Sequence, residues 1–539
     1  MAKPKTPNQK RKYSELNKRL AKYVMLVESI YEDLNLEAAK IVGITDFTID
    51  SDRPFMWSDY PQTRKRIRDL QERFVEDIGA VIYSGTSEEW KNSNEVQDLL
   101  ANKVLQTYGV TIGKKNYEIL YQPNNDALKA FQQRKDKGFT ISDKLWNQST
   151  LYKQELEEAI SCAIQKGTSA IILSKQISKY LLDFPQLQKD YRERFGKASR
   201  SMDCEYRSIR LAASEINMAY RQAENLRWQQ MDFVVGYEIK LSNNHTCNGK
   251  PFQDICDILA GKYPKDFQWT GWHPLCRCYK IPILKTEEEF WEWDGRSEAT
   301  TASVNEVKDV PDAFKKWVLD NQERISTAKK RNTLPYFLRD NKSVYQKITV
   351  ESSISEIVKR ASSVGDEVQS IAERIAIKNG GYVTPINFKS TTSITRKVIT
   401  EGITPYDIKD AVRTTIIVPK SRIEDVLEEL YKTEGFLRLK RQKPESFMGY
   451  SGNIVNIRTT NGLTAEIQVN TERMIFAKER PEDAKRILGK KRWEEIHNET
   501  GMEGGLGHKY YEQWRILDKS SNEALKIVEK SIEYYSHFR

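Results

Sequence analysis

Apolar residues recur three and four positions apart through most of the first 230 residues. The spacing is clearest over 13–34, 151–182 and 209–231, where few glycines or prolines interrupt it. Such spacing lines one side of a helix with apolar side chains. We therefore predict a mainly α-helical region that ends near residue 230.

The pattern changes after that point. A strand-like run at 233–241 is followed by a loop-rich stretch that holds most of the cysteines. The polar segment GRSEATTASVNEV at 295–307 has the composition of a linker, and a short helical and aromatic block ends in LPYFLRDN at 334–341. We expect a domain boundary near the linker.

Beyond Gly380, short β-rich runs alternate with helical segments. Three of these runs are TTIIV at 414–418, NIVNIRT at 453–459 and TAEIQVNT at 464–471. The last two flank an Asn-Gly pair at 461–462, the dipeptide most typical of a tight β-hairpin turn. The sequence therefore predicts an α+β region with a mixed sheet and flanking helices.

Length and composition narrow the class of protein. A chain of 539 residues has room for roughly two to four domains, and 39% hydrophobic with 30% charged residues is ordinary for a folded, water-soluble protein. The net charge of +10 is compatible with an anionic partner without being evidence for one. No stretch reaches the roughly 20 apolar residues that span a bilayer, and the N-terminus lacks a signal-peptide pattern. We expect a cytoplasmic protein with no membrane partner.

Cysteines and histidines crowd into residues 245–278. Four of the six cysteines and two of the five histidines fall there. In a reducing compartment such a cluster would ligate a metal sooner than form disulfides, although the spacing lacks paired CxxC knuckles. Two interpretations stay open, packed free thiols and a structural zinc, whose candidate ligands are Cys247, Cys256, His273, Cys276 and Cys278.

The same stretch resembles the phage Mu F-like head morphogenesis domain. The resemblance is carried by a helix at 209–224, the run GYEIKLSNNHTC at 236–247 and HPLCRC at 273–278. Cys247 and Cys256 are farther apart than the first cysteine pair of that family. The resemblance implies a minor head protein that associates with the portal or inner capsid and enters the host with the DNA. It would then occur in the virion and in the host bacterial cytoplasm.

Charged residues in the C-terminal region lie where apolar strands would not need them. Alternation along 464–471 places Glu466 and Gln468 on the face opposite Ile467, and Asp410 stands just before a β-branched run. Two carboxylates on adjacent strands would bind Mg²⁺ and accept a proton from a hydroxyl, as phosphoryl-type transfer requires.

Cations and an aromatic residue complete this candidate site. Lys389, Arg396 and Lys397 would line a triphosphate pocket, and Tyr450, which follows a glycine, would offer an exposed ring for stacking on a base. Each residue taken alone has an ordinary structural explanation, as a strand cap, a solvated cation or a turn residue.

Taken together, these residues resemble the synthetase half of the RelA/SpoT alarmone enzymes. The resemblance covers about 354–517 and keeps five motifs in order: Lys389 with Ser393, Ile394, Arg396 and Lys397; Asp410; Gly449 with Tyr450; Glu466, Ile467 and Gln468 with Thr471 and Met474; and His508 with Tyr510 and Tyr511. It implies a nucleotidyltransferase-like fold and an ATP-dependent pyrophosphokinase, in which an acceptor 3′-hydroxyl attacks the β-phosphorus of ATP and AMP leaves.

The resemblance also implies a role for each residue. Asp410 would bind Mg²⁺, and Glu466 would act as the base or as a second metal ligand. The ATP phosphates would be held by Lys389, Arg396, Lys397 and Arg413. The acceptor would be held by Tyr450, Gln468 and His508.

Two departures from the family pattern are evident. Asn387 stands where the family has an arginine, and Arg413 follows Asp410 by three residues in place of the usual Gly-Ile-Arg. They suggest a divergent branch, as in small toxic synthetases, whose acceptor is a guanosine or adenosine nucleotide or the 3′ end of a tRNA. No histidine is followed by aspartate, so the His-Asp motif of the hydrolase half is missing. An unopposed synthetase is a toxin, and a toxin implies an antitoxin or immunity partner.

The resulting hypothesis is a phage or prophage minor head protein that carries a toxin. Its predicted parts are a helical region at 1–150, a Mu F-like domain at 151–290, a linker and short helical block at 291–350, and a RelA/SpoT-like domain at 351–539. Two alternatives remain: a structural head protein whose C-terminal domain is inactive, and an RNA-binding module that uses the same cations on phosphates.

Overall fold

The computed structural model describes residues 6–45, 53–109, 111–163, 169–242, 246–247, 250–251, 253–286, 289, 302–442 and 447–539. The chain forms two compact units, Met1–Tyr345 and Gln346–Arg539. Within the described ranges, no helix combines the length and the apolar character needed to cross a membrane. Part of the predicted linker, 295–301, lies outside those ranges. The second unit begins five residues before the predicted start at 351.

Helices build most of unit 1, which confirms the helical prediction. They are α1 (Gln9–Val42), α2 (Arg64–Tyr108), α3 (Lys114–Leu120), α4 (Asn125–Gln133), α5 (Ile141–Ala163), α6 (Ala170–Leu182), α7 (Phe184–Phe195) and α8 (Cys204–Gln230). Tyr31, Phe74 and Tyr152, from α1, α2 and α5, pack ring against ring with centroids 5.1–5.6 Å apart. Gly85 of α2 lets Ile216 of α8 approach so closely that a Cβ at residue 85 would clash with it.

A small sheet follows the helices of unit 1. Its elements are β1 (Val234–Lys240), β2 (Thr246–Cys247), β3 (Lys250–Pro251), α9 (Ile255–Leu259), β4 (Gly261–Tyr263) and β5 (Tyr279–Leu284). The strands β4, β1 and β5 pair in that order and are antiparallel, and β2 pairs separately with β3. Unit 1 continues through α10 (Asp312–Asp320), α11 (Gln322–Lys330) and α12 (Tyr336–Arg339). The predicted strand at 233–241 is therefore confirmed as β1.

Unit 2 alternates helices and strands. Its elements are α13 (Lys342–Ser363), which starts at the end of unit 1, α14 (Gly365–Lys378), β6 (Tyr382–Val383), β7 (Asn387–Phe388), α15 (Thr391–Glu401), β8 (Val412–Ile417), α16 (Ile423–Tyr431), β9 (Phe436–Arg441), β10 (Asn453–Arg458), β11 (Thr464–Asn470), α17 (Glu472–Lys478), α18 (Pro481–Leu488), α19 (Lys490–Thr500), α20 (Leu506–Arg515) and α21 (Asn522–Ser536). This is an α+β arrangement, as the sequence predicts.

The strands of unit 2 form a mixed sheet in the order β6-β8-β11-β10-β9, and β7 also pairs with β8. The strands β8 and β11 are parallel, whereas β10 and β11 form the antiparallel hairpin predicted around the Asn-Gly pair. Gly462 there has φ +78°, a conformation that glycine adopts without strain. The chain is thus a multidomain, helix-rich protein with a mixed sheet.

Strand alternation gives the mixed sheet of unit 2 two unlike faces. One face carries buried apolar side chains such as Val455, Ile467 and Val469, which join the core formed with α14 and α16. The opposite face carries polar residues, among them Glu466 and Gln468. A separate small core around Phe476 joins the helices that follow β11. The polar face is therefore the place where a functional site would lie.

Candidate active site

The two candidate catalytic carboxylates lie at the same end of the mixed sheet. Glu466 of β11 pairs with Arg413 of β8 on one side and with Asn456 of β10 on the other. Asp410 stands two residues before β8, and the Asn456 amide donates a hydrogen bond of 3.3 Å to the carbonyl of Lys409. The pairing of the strands therefore places both acids close together in the fold.

Two lysines hold the Asp410 carboxylate. Lys389 Nζ lies 2.5 Å from Asp410 Oδ2, and Lys397 Nζ lies 3.1 Å from Oδ1. Lys389 is fixed beside the acid because its backbone N–H donates to the carbonyl of Ala411. Burial would raise the pKa of Asp410, but the two lysines outweigh that effect and bring the pKa below its usual value. Asp410 is therefore ionised and both of its oxygens are engaged.

A series of polar contacts leads from Glu466 across the sheet face. Gln468 Nε2 donates to Glu466 Oε1 over 2.6 Å, and Lys478 Nζ donates to Gln468 Oε1 over 2.7 Å. The Lys478 ammonium also lies 5.5 Å from the centre of the Tyr450 ring. The candidate base and the candidate stacking residue are thus connected through a cation.

Glu479 links two further predicted site residues, Arg413 and His508, to this series of polar contacts. Lys478 Nζ lies 3.1 Å from its Oε1. Burial would raise the pKa of Glu479, but Lys478, Arg413 and His508 together lower it. The Nε2 atom of His508 is buried and has no hydrogen-bond partner in the described part of the chain. Arg413 and His508 therefore lie near this series of polar contacts, and His508 has a nitrogen atom free for a ligand.

Tyr450 is less exposed than the sequence predicts. Its hydroxyl is hydrogen-bonded to the side chain of Asn470 over 2.8–3.0 Å, and its ring meets Tyr535 edge to face at 5.8 Å. Gly452 makes room for it, since a Cβ there would collide with the Tyr450 hydroxyl. The ring is partly buried because α21, far along the chain, packs against it.

Arg396 does not join the other cations. Its side chain is exposed and lines a shallow surface with Thr392 and Thr395, whereas Lys397 faces Asp410. Successive helical residues point about 100° apart, so sequence neighbours do not share a face. The structure therefore separates two cations that the sequence analysis grouped.

Lys478 and Glu479 were not predicted from the sequence to belong to the site. They form an adjacent Lys-Glu pair at the end of a short helix, a pattern that is usually a solvated surface pair. The only available signal was their place ten residues or so after the Glu466 strand motif, which is not specific. Their role depends on β11 and α17 folding back toward Tyr450.

The cysteine loop of unit 1 brings four predicted metal ligands together. The sulfur atoms of Cys256, Cys276 and Cys278 lie within 4.8 Å of one another, and all three residues are buried. His273 Nε2 lies 3.1 Å from Cys256 Sγ, and its Nδ1 lies 2.7 Å from the carbonyl oxygen of Pro274. If Nδ1 carries the ring proton, Nε2 has a free lone pair, as a metal ligand requires.

A buried arginine of α8 holds the backbone of the cysteine cluster. Arg221 is buried and donates to the carbonyls of Cys276 and Cys278. Burial would raise the pKa of the Cys276 thiol, but hydrogen bonds from Cys256 and Cys278, together with Arg221, bring it well below its usual value. The side chain of Cys247, the fifth predicted ligand, lies outside the described part of the structure.

Comparison with known proteins finds similarity to part of the chain. No family model matches the chain. The small alarmone synthetase 1 from Bacillus subtilis, of known structure, has 16% sequence identity and a TM-score of 0.22 over 34% of this chain and 92% of that one.

A closer relation exists to a toxin. The (p)ppApp synthetase toxin Tas1 of Pseudomonas aeruginosa (strain UCBPP-PA14) is 36% identical over 181 residues, which are 33% of this chain and 41% of Tas1. A crystal structure of the Type VI effector Tas1 with its immunity protein matches 35% of this chain and 97% of the crystallised one, with 36% identity and a TM-score of 0.33. The chain thus spans less than half of the length of Tas1.

Proposed function

We propose that unit 2 is an ATP-dependent pyrophosphate transferase that acts as a toxin and uses an adenosine nucleotide as acceptor. The observation that carries the proposal is the arrangement of Asp410, held by two lysines, beside the Glu466 strand. The 36% identity to a (p)ppApp synthetase toxin supports it, over a length close to the 194 residues from Gln346 to Arg539. The product name of that relative is the reason for choosing adenosine over guanosine or a tRNA end.

The proposed reaction transfers a pyrophosphoryl group. The acceptor 3′-hydroxyl forms a bond to the β-phosphorus of ATP, the bond from that phosphorus to the α-phosphate bridging oxygen breaks, and AMP leaves. Glu466 receives the hydroxyl proton. Little covalent chemistry falls to the protein, so positioning and charge neutralisation supply most of the acceleration.

Lys389 and Lys397 hold the ATP phosphates in this mechanism, and Arg396 approaches them from the outer side of α15. Asp410 and Glu466 would hold Mg²⁺, and their hard carboxylate oxygens fit that ion. The metal, when bound, neutralises charge on the transferred phosphates. The lysines leave Asp410 for the phosphates, so that its two oxygens become free.

In this mechanism the acceptor nucleotide lies along the series of polar contacts that runs from Glu466 to Tyr450. Tyr450 stacks on the base after its hydroxyl leaves Asn470, and Gln468 keeps Glu466 oriented. Arg413, Lys478 and the unpartnered His508 Nε2 face the acceptor phosphates. All of these residues are on or beside the polar face of the sheet.

The direct test is product analysis with the purified full chain. We expect AMP release from ATP with Mg²⁺ and ADP, and an adenosine product that carries an added pyrophosphate at the 3′ position. GDP and uncharged tRNA are supplied in parallel, so that the acceptor is identified by the reaction that consumes it. RNA binding without AMP release in any mixture would contradict the transferase proposal and favour an RNA-binding module.

Metal binding at Asp410 should depend on nucleotide. The two lysines occupy both oxygens of Asp410, so a cation reaches that carboxylate only after phosphates withdraw the amines. In a Mn²⁺ titration followed by electron paramagnetic resonance, we expect a non-hydrolysable ATP analogue to tighten binding at least about tenfold.

The lysines themselves provide the control for that titration. Lys389→Met with Lys397→Met should let Mn²⁺ bind without nucleotide more tightly than the wild type does. Lys432→Met, at a surface lysine just after α16 that pairs with Glu428, should leave the wild-type behaviour unchanged. Equal Mn²⁺ affinity of the wild type with and without the analogue would contradict the displacement of the lysines.

We further propose that Cys256, His273, Cys276 and Cys278 hold a structural zinc. A tetrahedral zinc with sulfur bonds of about 2.3 Å keeps its sulfurs roughly 3.8 Å apart, and Cys256 Sγ and Cys276 Sγ are 3.8 Å apart. A Cys-His-Asp catalytic triad does not fit, because Asp254 contacts the same His273 nitrogen as Cys256 does.

Zinc analysis of the purified full chain tests this site. We expect about one zinc per chain, lost in Cys276→Ser together with a lower melting temperature of unit 1. Cys162→Ser is the matched control, since Cys162 lies in α5 outside the cluster. A metal-free wild type, prepared without chelator, with reactive thiols at all three cluster cysteines would favour packed free thiols.

For unit 1 we propose the role implied by its Mu F-like resemblance, a head-associated part that contacts portal or capsid proteins and travels in the virion to the host cytoplasm. The order α8, β1, cysteine loop and β5 supports it. An immunity protein that binds unit 2 would protect the producing cell, as in the Tas1 complex. Mass spectrometry of purified phage particles and of secreted protein from the same culture distinguishes virion packaging from effector secretion.

A further inference from the structure

Unit 2 contains a large cavity that the proposed mechanism does not use. Its volume is about 880 Å³, inside the range of roughly 300–1,000 Å³ typical of small-molecule sites. It opens where the parallel strands β8 and β11 end, at Ile417 and Asn470. Ligands of α/β proteins commonly bind at the carboxyl ends of such strands.

The cavity adjoins the candidate active site at Asn470, whose side chain is hydrogen-bonded to Tyr450, but it extends away from Glu466. Four residues of β8, or about 13 Å, separate Arg413, which pairs with Glu466, from Ile417 at the cavity. Asn453, in its lining, alternates with Val455 and so belongs to the apolar face of the sheet, whereas Glu466 lies on the polar face. One nucleotide bound at Glu466 would therefore not fill this cavity.

Two amide side chains line the cavity. Asn453 is only 9% exposed. The Oε1 atom of Gln442 is buried and lacks a partner among the described residues. A buried amide oxygen without a partner is costly, and a ligand that offers both donors and acceptors would satisfy it and bond to Asn453 as well. The edge of a purine is such a ligand.

The lining is also cationic. It contains Lys420, Arg441, Arg473, Arg492 and Arg539 against Glu424 and Glu472, an excess of three positive charges. Arg441 is occupied by Glu424, and Arg492 by Glu472. Lys420 has no ion pair in the described part of the chain, and Arg473 uses only one guanidinium nitrogen, on Glu499. Lys420 and Arg473 are therefore available to a phosphate group.

From these observations we propose that the cavity is a second nucleotide site, which binds a nucleoside polyphosphate that does not react. The amides of Gln442 and Asn453 meet the base, and Lys420 with Arg473 meets the phosphates. The site goes beyond the proposed transferase activity, because its lining does not include Asp410, Glu466 or the two lysines that hold Asp410.

Equilibrium dialysis of radiolabelled ATP against the full chain tests the proposal. We expect two ATP molecules per chain that depend on these cations, one on Lys389 and Lys397 and one on Lys420 and Arg473, in addition to ATP at the acceptor position of the active site. Lys420→Met with Arg473→Met should weaken one of them at least about tenfold and leave the other unchanged. Lys389→Met with Lys397→Met should weaken the other one. Both cavity substitutions are at exposed side chains, so the fold should be retained.

Two controls make the outcome decisive. Lys432→Met removes a cation from the far end of α16, where it pairs with Glu428 outside the cavity, and should change neither site. Asn453→Leu, if folded, should reduce the preference for ATP over inorganic tripolyphosphate at the cavity site. One ATP per chain in the wild type, or two whose binding ignores the Lys420 and Arg473 substitutions, would overturn the second site. Tripolyphosphate that binds there as tightly as ATP would overturn its nucleoside specificity.

Discussion

Asp410→Asn is expected to lower the rate of AMP release from ATP by at least about 10²–10³-fold, the usual loss when a group that stabilises transition-state charge is removed. The substitution preserves the shape of the side chain and removes its charge. It takes away the anion that would hold Mg²⁺ and the partner that positions Lys389 and Lys397. The measurement is initial-rate AMP release by the purified full chain with its best acceptor.

A control substitution at a surface aspartate shows whether the loss of rate is specific to the charge at the active site. Asp425, in α16, is exposed and pairs with Arg422 on the surface. Asp425→Asn should retain the wild-type rate, and Asp410→Asn should melt within a few degrees of the wild type. A folded Asp410→Asn variant that releases AMP at the wild-type rate would remove Asp410 from the mechanism.

The secondary structure of unit 2 could be read from its sequence because the signals are local. The β-branched runs, the alternation around Ile467 and the turn at Gly462 each depend on a few neighbouring residues. The parallel pairing of β8 with β11 has no such local signal. It is this pairing that brings the Asp410 end of one strand to Glu466.

Contacts between distant segments account for what the sequence did not reveal. Tyr450 was expected to be exposed, but Tyr535, 85 residues later, packs against it. Lys478 gains its position from Gln468 across the sheet face. Gln442 follows a strand like any other, and its buried Oε1 without a partner in the described part of the chain becomes evident only once the cavity around it exists. Patterns along the chain carry no signal for such distant partners.

A buried ion pair in unit 1 likewise has no local signal in the sequence. Lys280 of β5 and Glu224 of α8 are both fully buried, with 3.2 Å between Lys280 Nζ and Glu224 Oε2. Tyr13 of α1 donates to the same oxygen over 2.6 Å. Burial lowers the pKa of Lys280 to about 8, although Glu224 acts against that shift. At neutral pH the Lys280 ammonium is therefore charged and isolated from water.

Glu224→Gln should lower the free energy of unfolding of unit 1 by about 3–5 kcal/mol at pH 7, because it leaves a buried ammonium without its counter-ion. A group whose folded-state pKa is depressed has its full stability above the unfolded pKa, roughly 10.4 for lysine, and loses it as pH falls through the folded value. Loss of the carboxylate depresses the pKa of Lys280 further, so the difference between variant and wild type should be larger at pH 7 than at pH 9.5. Urea denaturation at both values measures it.

The double variant Glu224→Gln with Lys280→Met distinguishes a missing counter-ion from a disturbed core. Methionine fills a similar volume without a charge and would pack against Trp228, whose ring centre lies 4.5 Å from the ammonium. Replacing a buried ion pair by uncharged residues often costs little, so the double variant should recover most of the stability lost in Glu224→Gln. Equal losses at pH 7 and 9.5, with no recovery in the double variant, would mean that Glu224 contributes through its packing and its bond to Tyr13 and not through its charge.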